Sequence, residues 1–324
     1  MILAGIDEAG YGPVLGPLVV GCCAFEIDGP LAESGDVPCL WTRLGRAVSK
    51  SRSRTGRKLH VNDSKVVYTP AAGLRELERS VLALLAAGCP WPAGLDGVLA
   101  AVATDALADL AEHPWYAPID GEPFPLEQPA DTVRVAANGL RAEMARCGAR
   151  CVHLAARVLP ERRYNRMVAA TRNKASVLSS TSAMHLDHLL RGHGDTGLMI
   201  VCDRQGGREH YGSLLRLMFE DWSLTVVAEG DGGSEYRLRR GESTVRILFR
   251  EKAESACLPV AVASMLAKYL RESLMRRLSG YWQARVPGLA GTAGYHTDGM
   301  RFLADIADAR RAMGVPDDDI IRSR

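Results

Sequence analysis

The chain has 324 residues, and 40 Lys and Arg against 38 Asp and Glu leave a net charge of +2, so neither a strongly basic nor a strongly acidic protein is in view. That length allows one large or two modest domains around a sizeable core. No apolar run is long enough to span a bilayer, and no basic region followed by an apolar stretch marks a secretory leader, so no membrane partner and a cytoplasmic setting are expected. The eight cysteines are scattered, with no second pair at zinc-ligand spacing, and are expected to be reduced.

Taken in chain order, Ile2, Leu3, Ala4 and Ile6 read as a short buried strand with Asp7 and Glu8 at its end. Successive strand side chains face opposite ways, so both carboxylates reach one site if the backbone turns there, and Gly10, Gly12 and Gly16 supply the freedom. A second apolar strand runs from Leu18 to Ile27. Residues 28–60 read as a loop-rich insertion. A helix is expected to open at Thr69-Pro70, carry Leu74, Leu77, Val81, Leu84 and Leu85 on one stripe, and end at Gly88. Residues 89–130 read as a second insertion, with room for a helix over Leu95 to Leu110 and an irregular loop from Pro114 to Pro129.

Further on, Cys151 to Val158 reads as a strand, and Glu161 to Ala170 and Asn173 to Leu190 as helices. Leu198 to Cys202 is an apolar strand with Asp203 at its C-terminal end. Glu209 to Phe219 reads as a helix, and Leu224–Ala228, Glu235–Leu238 and Thr244–Phe249 as strands. Ala256 to Leu278 is a long helix with closely spaced small residues, Ala261, Ala263, Ser264 and Ala267. A last helix spans about Gly299 to Met313, with Asp298 at its N-cap. The mixture points to an α/β domain with a mixed sheet.

Charge is segregated along the chain. Arg43 to Lys58 is basic without an acid, Ser80 to Val133 holds no Lys or Arg, and Arg141 to Lys174 is basic again with only Glu143 and Glu161 as acids. Such blocks can mark a polyanion-binding face with an acidic segment kept away from it.

Asp7, Glu8 and Asp203 follow strands, and Glu254 precedes the small-residue helix. Alone, Glu254 reads as a helix-capping acid. Together the four can converge into an all-oxygen site of the kind that suits Mg²⁺ or Mn²⁺. Two such ions ~4 Å apart activate water and stabilise the leaving oxygen in phosphodiester hydrolysis.

These residues resemble the motifs of the type 2 ribonucleases H, ribonucleases HII and HIII. Gly5-Ile-Asp-Glu-Ala-Gly-Tyr-Gly-Pro13 is similar to the family's opening motif, Asn62-Asp-Ser-Lys65 to its second, and Ile200-Val-Cys-Asp203 to the strand carrying its third acid. Lys252-Ala-Glu-Ser255 resembles the HIII form of the fourth motif, and Gly294-Tyr-His-Thr297 the C-terminal motif of HII.

The resemblance implies a ribonuclease H-like α/β fold, with a catalytic domain over residues 1–278 and a helical extension over 279–324 completing the cleft. It implies a monomer that cleaves the RNA strand of RNA/DNA hybrids to 5′-phosphate and 3′-hydroxyl ends. DNA with embedded ribonucleotides is a further candidate substrate. Asp7, Glu8, Asp203 and Glu254 would bind the catalytic metals. Gly10, Tyr11 and Gly12 would approach the ribose 2′-hydroxyl, Ser64 and Lys65 the phosphates, and Tyr295 the sugar beside the scissile bond.

Two departures stand out. Tyr11 occupies a position where HII usually has Arg, and Arg204 follows Asp203 where Gly is common. They motivate an alternative, a nucleic-acid-binding protein of impaired catalysis. Lys252 and Lys268 stay open between phosphate contact and salt bridge.

Overall fold

The first strand is apolar on both faces because both faces are covered. In this computed structural model, which describes residues 1–31, 35–205 and 208–323, β1 (Ile2–Ala9) lies mid-sheet. Ile2, Ala4 and Ile6 pack toward Leu178, Leu186 and Leu189 of the helix Lys174–His193. Leu3, on the other face, joins the core under the helix Leu258–Gln283. A strand covered on two sides reads as a continuous apolar run.

Beside β1 runs β2 (Leu18–Ile27). The short β3 (Val48–Ser49) and β4 (Leu59–His60) pair in parallel as a separate ladder. The main sheet is completed by β5 (Ala149–Leu159), β6 (Leu198–Asp203), β7 (Ser223–Ala228), β8 (Ser234–Arg240) and β9 (Ser243–Arg250). Its seven strands take the order β5-β2-β1-β6-β9-β8-β7. β1 is antiparallel to β2 and parallel to β6, which is parallel to β9. The mixed sheet flanked by helices is the fold class read from the sequence.

Several boundaries differ. The helix expected from Thr69 starts at Arg75, because Thr69 to Gly73 closes a tight turn with Gly73 at φ +67°. Leu95 to Leu110 holds two helices, Leu95–Val102 and Leu107–Ala111, around a 3-10 turn. Glu209 to Phe219 shortens to a helix over Gly212–Met218. The last helix runs His296–Asp305, breaks at Ile306 and resumes over Ala307–Ala312. Tyr295, not Asp298, is its N-cap. The Asp298 carboxylate instead accepts from Thr292 Oγ1 and the Ala293 N–H. The long helix continues to Gln283, so a domain boundary after residue 278 falls inside it.

One helix, Ala130–Arg146, has no counterpart in the sequence reading. Its buried stripe (Val133, Ala137, Leu140, Met144) has helical spacing but is thin and partly alanine.

Both insertions are built into the core. Leu40, Trp41, Leu44 and Leu59 from the first, and Val98, Leu99, Trp115 and Tyr116 from the second, share the core under the long helix. The acidic segment is not kept away from the basic block. Asp105 pairs with Arg157, Asp109 with Arg163 at 2.5 Å, and Glu112 with Arg162 at 3.0 Å. Arg277, 1% exposed, is clamped by Asp96 at 2.8 Å and Glu122 at 2.6 Å. Much of the second basic block is thereby neutralised within the chain.

The long helix lies on the sheet through backbone. A Cβ on Gly5 would fall 2.1 Å from Val260 N, and one on Gly21 2.2 Å from Ala263 O. Helix and sheet backbones cannot both yield, so Gly5→Ala is expected to destabilise the fold by about 2 kcal/mol or more. The midpoint of chemical denaturation measures it.

Candidate active site

Asp7 and Asp203 are brought together by strand register. β1 and β6 pair in parallel from Ile2↔Leu198 to Ile6↔Cys202. The next residue on each is an aspartate, so the two carboxylates stand side by side on the face toward the long helix. The expected turn at Asp7-Glu8 is not made. β1 continues to Ala9, with Asp7 opposite Gly21 and Glu8 opposite Val20. Only the pairing with β6 stops at Ile6, which opens the strand edge where the acids sit.

Glu254 arrives from a turn, Ala253–Ser255, entered through Lys252 at φ +52°. The Ala253 N–H donates to Asp203 Oδ1 at 3.0 Å, which ties this turn to the end of β6. Asp203 and Glu254 lie close enough for each to shift the other's titration. Glu254 is 7% exposed, and its Oε2 is buried without a hydrogen-bond partner among the described residues.

All four acids are held above the ordinary carboxylate range. Burial does most of it, pushing Glu8 up to about 7 with Asp203 adding its charge. Glu254 is likewise raised to about 7 by burial, with Asp203 again contributing. Asp7 is raised by burial and by the charges of Glu8 and Asp203, and Asp203 by burial. The Lys65 ammonium opposes this at Glu8 and Asp203.

A buried all-oxygen donor set with an orphaned carboxylate oxygen fits a hard divalent cation. Among the described residues, the trio of His, Cys or carboxylate groups whose ligand atoms all converge within 4.8 Å is Cys22, His153 and His185. No three carboxylates among the described residues converge so closely, which suits ions that keep water and phosphate oxygens in their shell.

The glycine loop after β1 is braced from below. Gly10 at φ +87° turns the chain, and a Cβ there would meet Arg271 Nε at 2.6 Å. Gly12 differs: a Cβ there would have nothing within 4 Å. Tyr11 is half-buried, with Lys174 Nζ 5.3 Å from its ring centroid. Tyr295 is 56% exposed, next to Gly294, whose carbonyl accepts from Val14 N at 2.8 Å and Leu15 N at 3.2 Å. The expected sugar-contacting tyrosine therefore adjoins the loop.

Lys65 is exposed beside the acids, with its N–H capped by Asp63 at 2.8 Å. Ser64 is 5% exposed and accepts from Ser264 Oγ at 3.0 Å. Since Ser264 also lies against Asp7, Ser64 backs the acids rather than facing outward. Arg204 does not crowd them; it pairs with Glu209 at 2.7 Å and Glu251 at 3.0 Å. Lys268 pairs with Glu272 at 2.7 Å, not with a site acid.

Several supporting residues escape sequence reading. Arg322 donates to the carbonyls of Gly10, at 2.5 Å, and Tyr11, at 3.0 Å. Arg271 donates to Ala293 O at 2.9 Å. Glu161, fully buried, accepts from Gly16 N at 2.9 Å and Tyr116 Oη at 2.8 Å. No local pattern marks these long-range contacts. Lys50 had a signal, its basic tract; its Nζ donates to Ser255 O at 2.6 Å, beside the Glu254 turn.

No protein-family profile matches the chain, and no curated protein does. Solved structures of type 2 ribonucleases H are similar over its whole length. Ribonuclease HII of Archaeoglobus fulgidus, solved with PCNA, is 16% identical over 100% of this chain and 95% of that one, with a TM-score of 0.43. The ribonuclease H2 of Pyrococcus horikoshii OT3 is 12% identical over 99% and 92%, at 0.41. Bst-RNase HIII, solved with Mn²⁺, is 15% identical over 99% of this chain and 66% of that one, at 0.42.

Burial raises Glu161 to about 7, above the ~4.3 of a free glutamate. The folded chain then holds a proton that the unfolded chain has lost, and stability falls as pH rises from about 4.3 to about 7. Glu161→Gln, which keeps an acceptor for Gly16, is expected to remove that part of the decline. Unfolding free energies of the two proteins across this window measure it.

Proposed function

We propose that the chain is a metal-dependent endonuclease of the type 2 ribonuclease H kind, hydrolysing the RNA strand of RNA/DNA hybrids to 5′-phosphate and 3′-hydroxyl ends. The observation that carries the reading is Asp7 and Asp203 side by side on adjoining parallel strands, with Glu8 and Glu254 in the same electrostatic cluster. The order of the motifs along the chain supports it.

Asp7, Glu8, Asp203 and Glu254 would hold Mg²⁺ or Mn²⁺. Such ions supply a nucleophile at neutral pH and charge to stabilise the leaving oxygen. The protein's part is to hold the scissile phosphate over the acids. Lys65 and Lys50 lie beside them as phosphate contacts. Gly10, Tyr11 and Gly12 are braced from beneath by Arg322 and Arg271, and the open space at Gly12 lets backbone approach a ribose 2′-hydroxyl. Tyr295, exposed beside this loop, offers a flat face to the sugar. Residues 279–324 complete the cleft in this reading, since they supply both Tyr295 and Arg322.

Cleavage of end-labelled duplexes tests the proposal, with Mg²⁺ and Mn²⁺ in separate reactions and substrates of continuous hybrid, DNA with one ribonucleotide, and DNA alone. The hybrid is expected to be cut. Asp7→Asn is expected to lower the rate by about 10²-fold or more while leaving hybrid binding intact. Hybrid binding without cleavage in either metal would instead support the impaired, binding-only reading, which Tyr11 in place of a guanidinium favours.

A further inference from the structure

A second donor cluster lies on the opposite face of the sheet. Cys22 is opposite Ala155 across β2 and β5, and Ala24, two residues on, is opposite His153. The period of two puts Cys22 and His153 on one face. That face is covered by the helix Lys174–His193, which contributes His185. One ligand atom from each, the Cys22 sulfur and a nitrogen of either ring, lies within 4.8 Å of the others. We propose that Cys22, His153 and His185 form a transition-metal site of the Zn²⁺ class, separate from the carboxylates and tying β2, β5 and the covering helix together.

The chemistry of the donors selects the ion. Thiolate and imidazole suit Zn²⁺ and its neighbours in the first transition row, not Mg²⁺. Each ring is also prepared. His185 Nε2 lies 3.0 Å from Val20 O. With that nitrogen donating, Nδ1 carries the lone pair, the arrangement in which a backbone carbonyl orients a metal-binding histidine. His153 Nε2 is buried with no hydrogen-bond partner among the described residues, a state that calls for an explanation in a folded protein. The His153 ring is held by stacking on His188, with centroids 4.5 Å apart.

Burial disfavours the charged form of the His153 and His185 rings and pushes the Cys22 thiol up. Cys22 is the group that must change. On binding, its S–H bond breaks, a sulfur–metal bond forms and the proton passes to water. Three protein ligands leave one tetrahedral position for water. His188, stacked on His153, also lines a cavity of about 810 Å³ together with Arg157 and Asp187.

The test uses the full-length protein, loaded with Zn²⁺ or Co²⁺ and freed of loose metal by gel filtration. The expected result is one equivalent of Zn²⁺ per chain, and in the Co²⁺ form a thiolate-to-cobalt charge-transfer band. Cys22→Ser is expected to abolish the band. His153→Gln, at a half-buried position, is expected to weaken Zn²⁺ affinity by about 100-fold or more. Asp7→Asn is expected to leave both metal content and band unchanged, which separates this site from the carboxylates whatever the nuclease assay shows. Substoichiometric metal with no thiolate band in the unsubstituted protein would overturn the site. A band that survives Cys22→Ser would overturn the ligand assignment.

Discussion

The contact on which the acid cluster depends is the backbone-to-backbone approach of the helix Leu258–Gln283 to β1 and β2. Gly5 and Gly21 face Val260 and Ala263 with no room for a side chain between. Packing this close is rigid, because neither partner can shift by a rotamer change. It sets Ser264 against Asp7 and holds the Glu254 turn, which feeds the helix, against the end of β6. The acids therefore sit on three elements whose relative position is fixed by backbone, which is what a site assembled from distant segments requires.

The loop between β1 and β2 shows the same logic with polar groups. Its carbonyls and amides are not taken up by the sheet, and buried backbone groups left unpaired are costly. Arg322 and Arg271 take carbonyls of Gly10, Tyr11 and Leu15, and Glu161 takes the Gly16 N–H. These side chains are themselves buried, at 3%, 1% and 0% exposure. A buried cation is tolerated where hydrogen bonds satisfy it, and the loop's carbonyls do much of that for the two arginines, whereas burial favours the neutral form of Glu161. Bracing from below leaves the upper surface, Tyr11 and Gly12, open.

Much of this was legible in the sequence. Continuous apolar runs marked β1, β2 and β6 because those strands are covered on both faces, and carboxylates at strand ends marked the candidate acids. Other features were opaque because they depend on partners far along the chain. Charge segregation read as a polyanion surface, yet Arg157, Arg162 and Arg163 are matched to acids some fifty residues away. The strand through Asp7 and Glu8 was expected to turn; it stays straight because pairing with β2 persists where pairing with β6 ends. Ser64 sits in a motif, but only the position of Ser264 shows which way its hydroxyl is spent. The helix Ala130–Arg146 hides because its buried stripe is thin.

The pleat sets Asp7 and Cys22 on opposite faces of the sheet. Odd-numbered positions of β1 and β2 face the long helix, where Asp7 meets Asp203; even-numbered positions face the helix Lys174–His193, where Cys22 lies near His185. A one-residue slip in either strand would exchange these sets. Oxygen donors at an open strand end and sulfur and nitrogen donors in a covered layer favour different ions. In the proposed readings a borderline ion would take the sulfur and nitrogen ligands, and the acids would take hard cations that retain water.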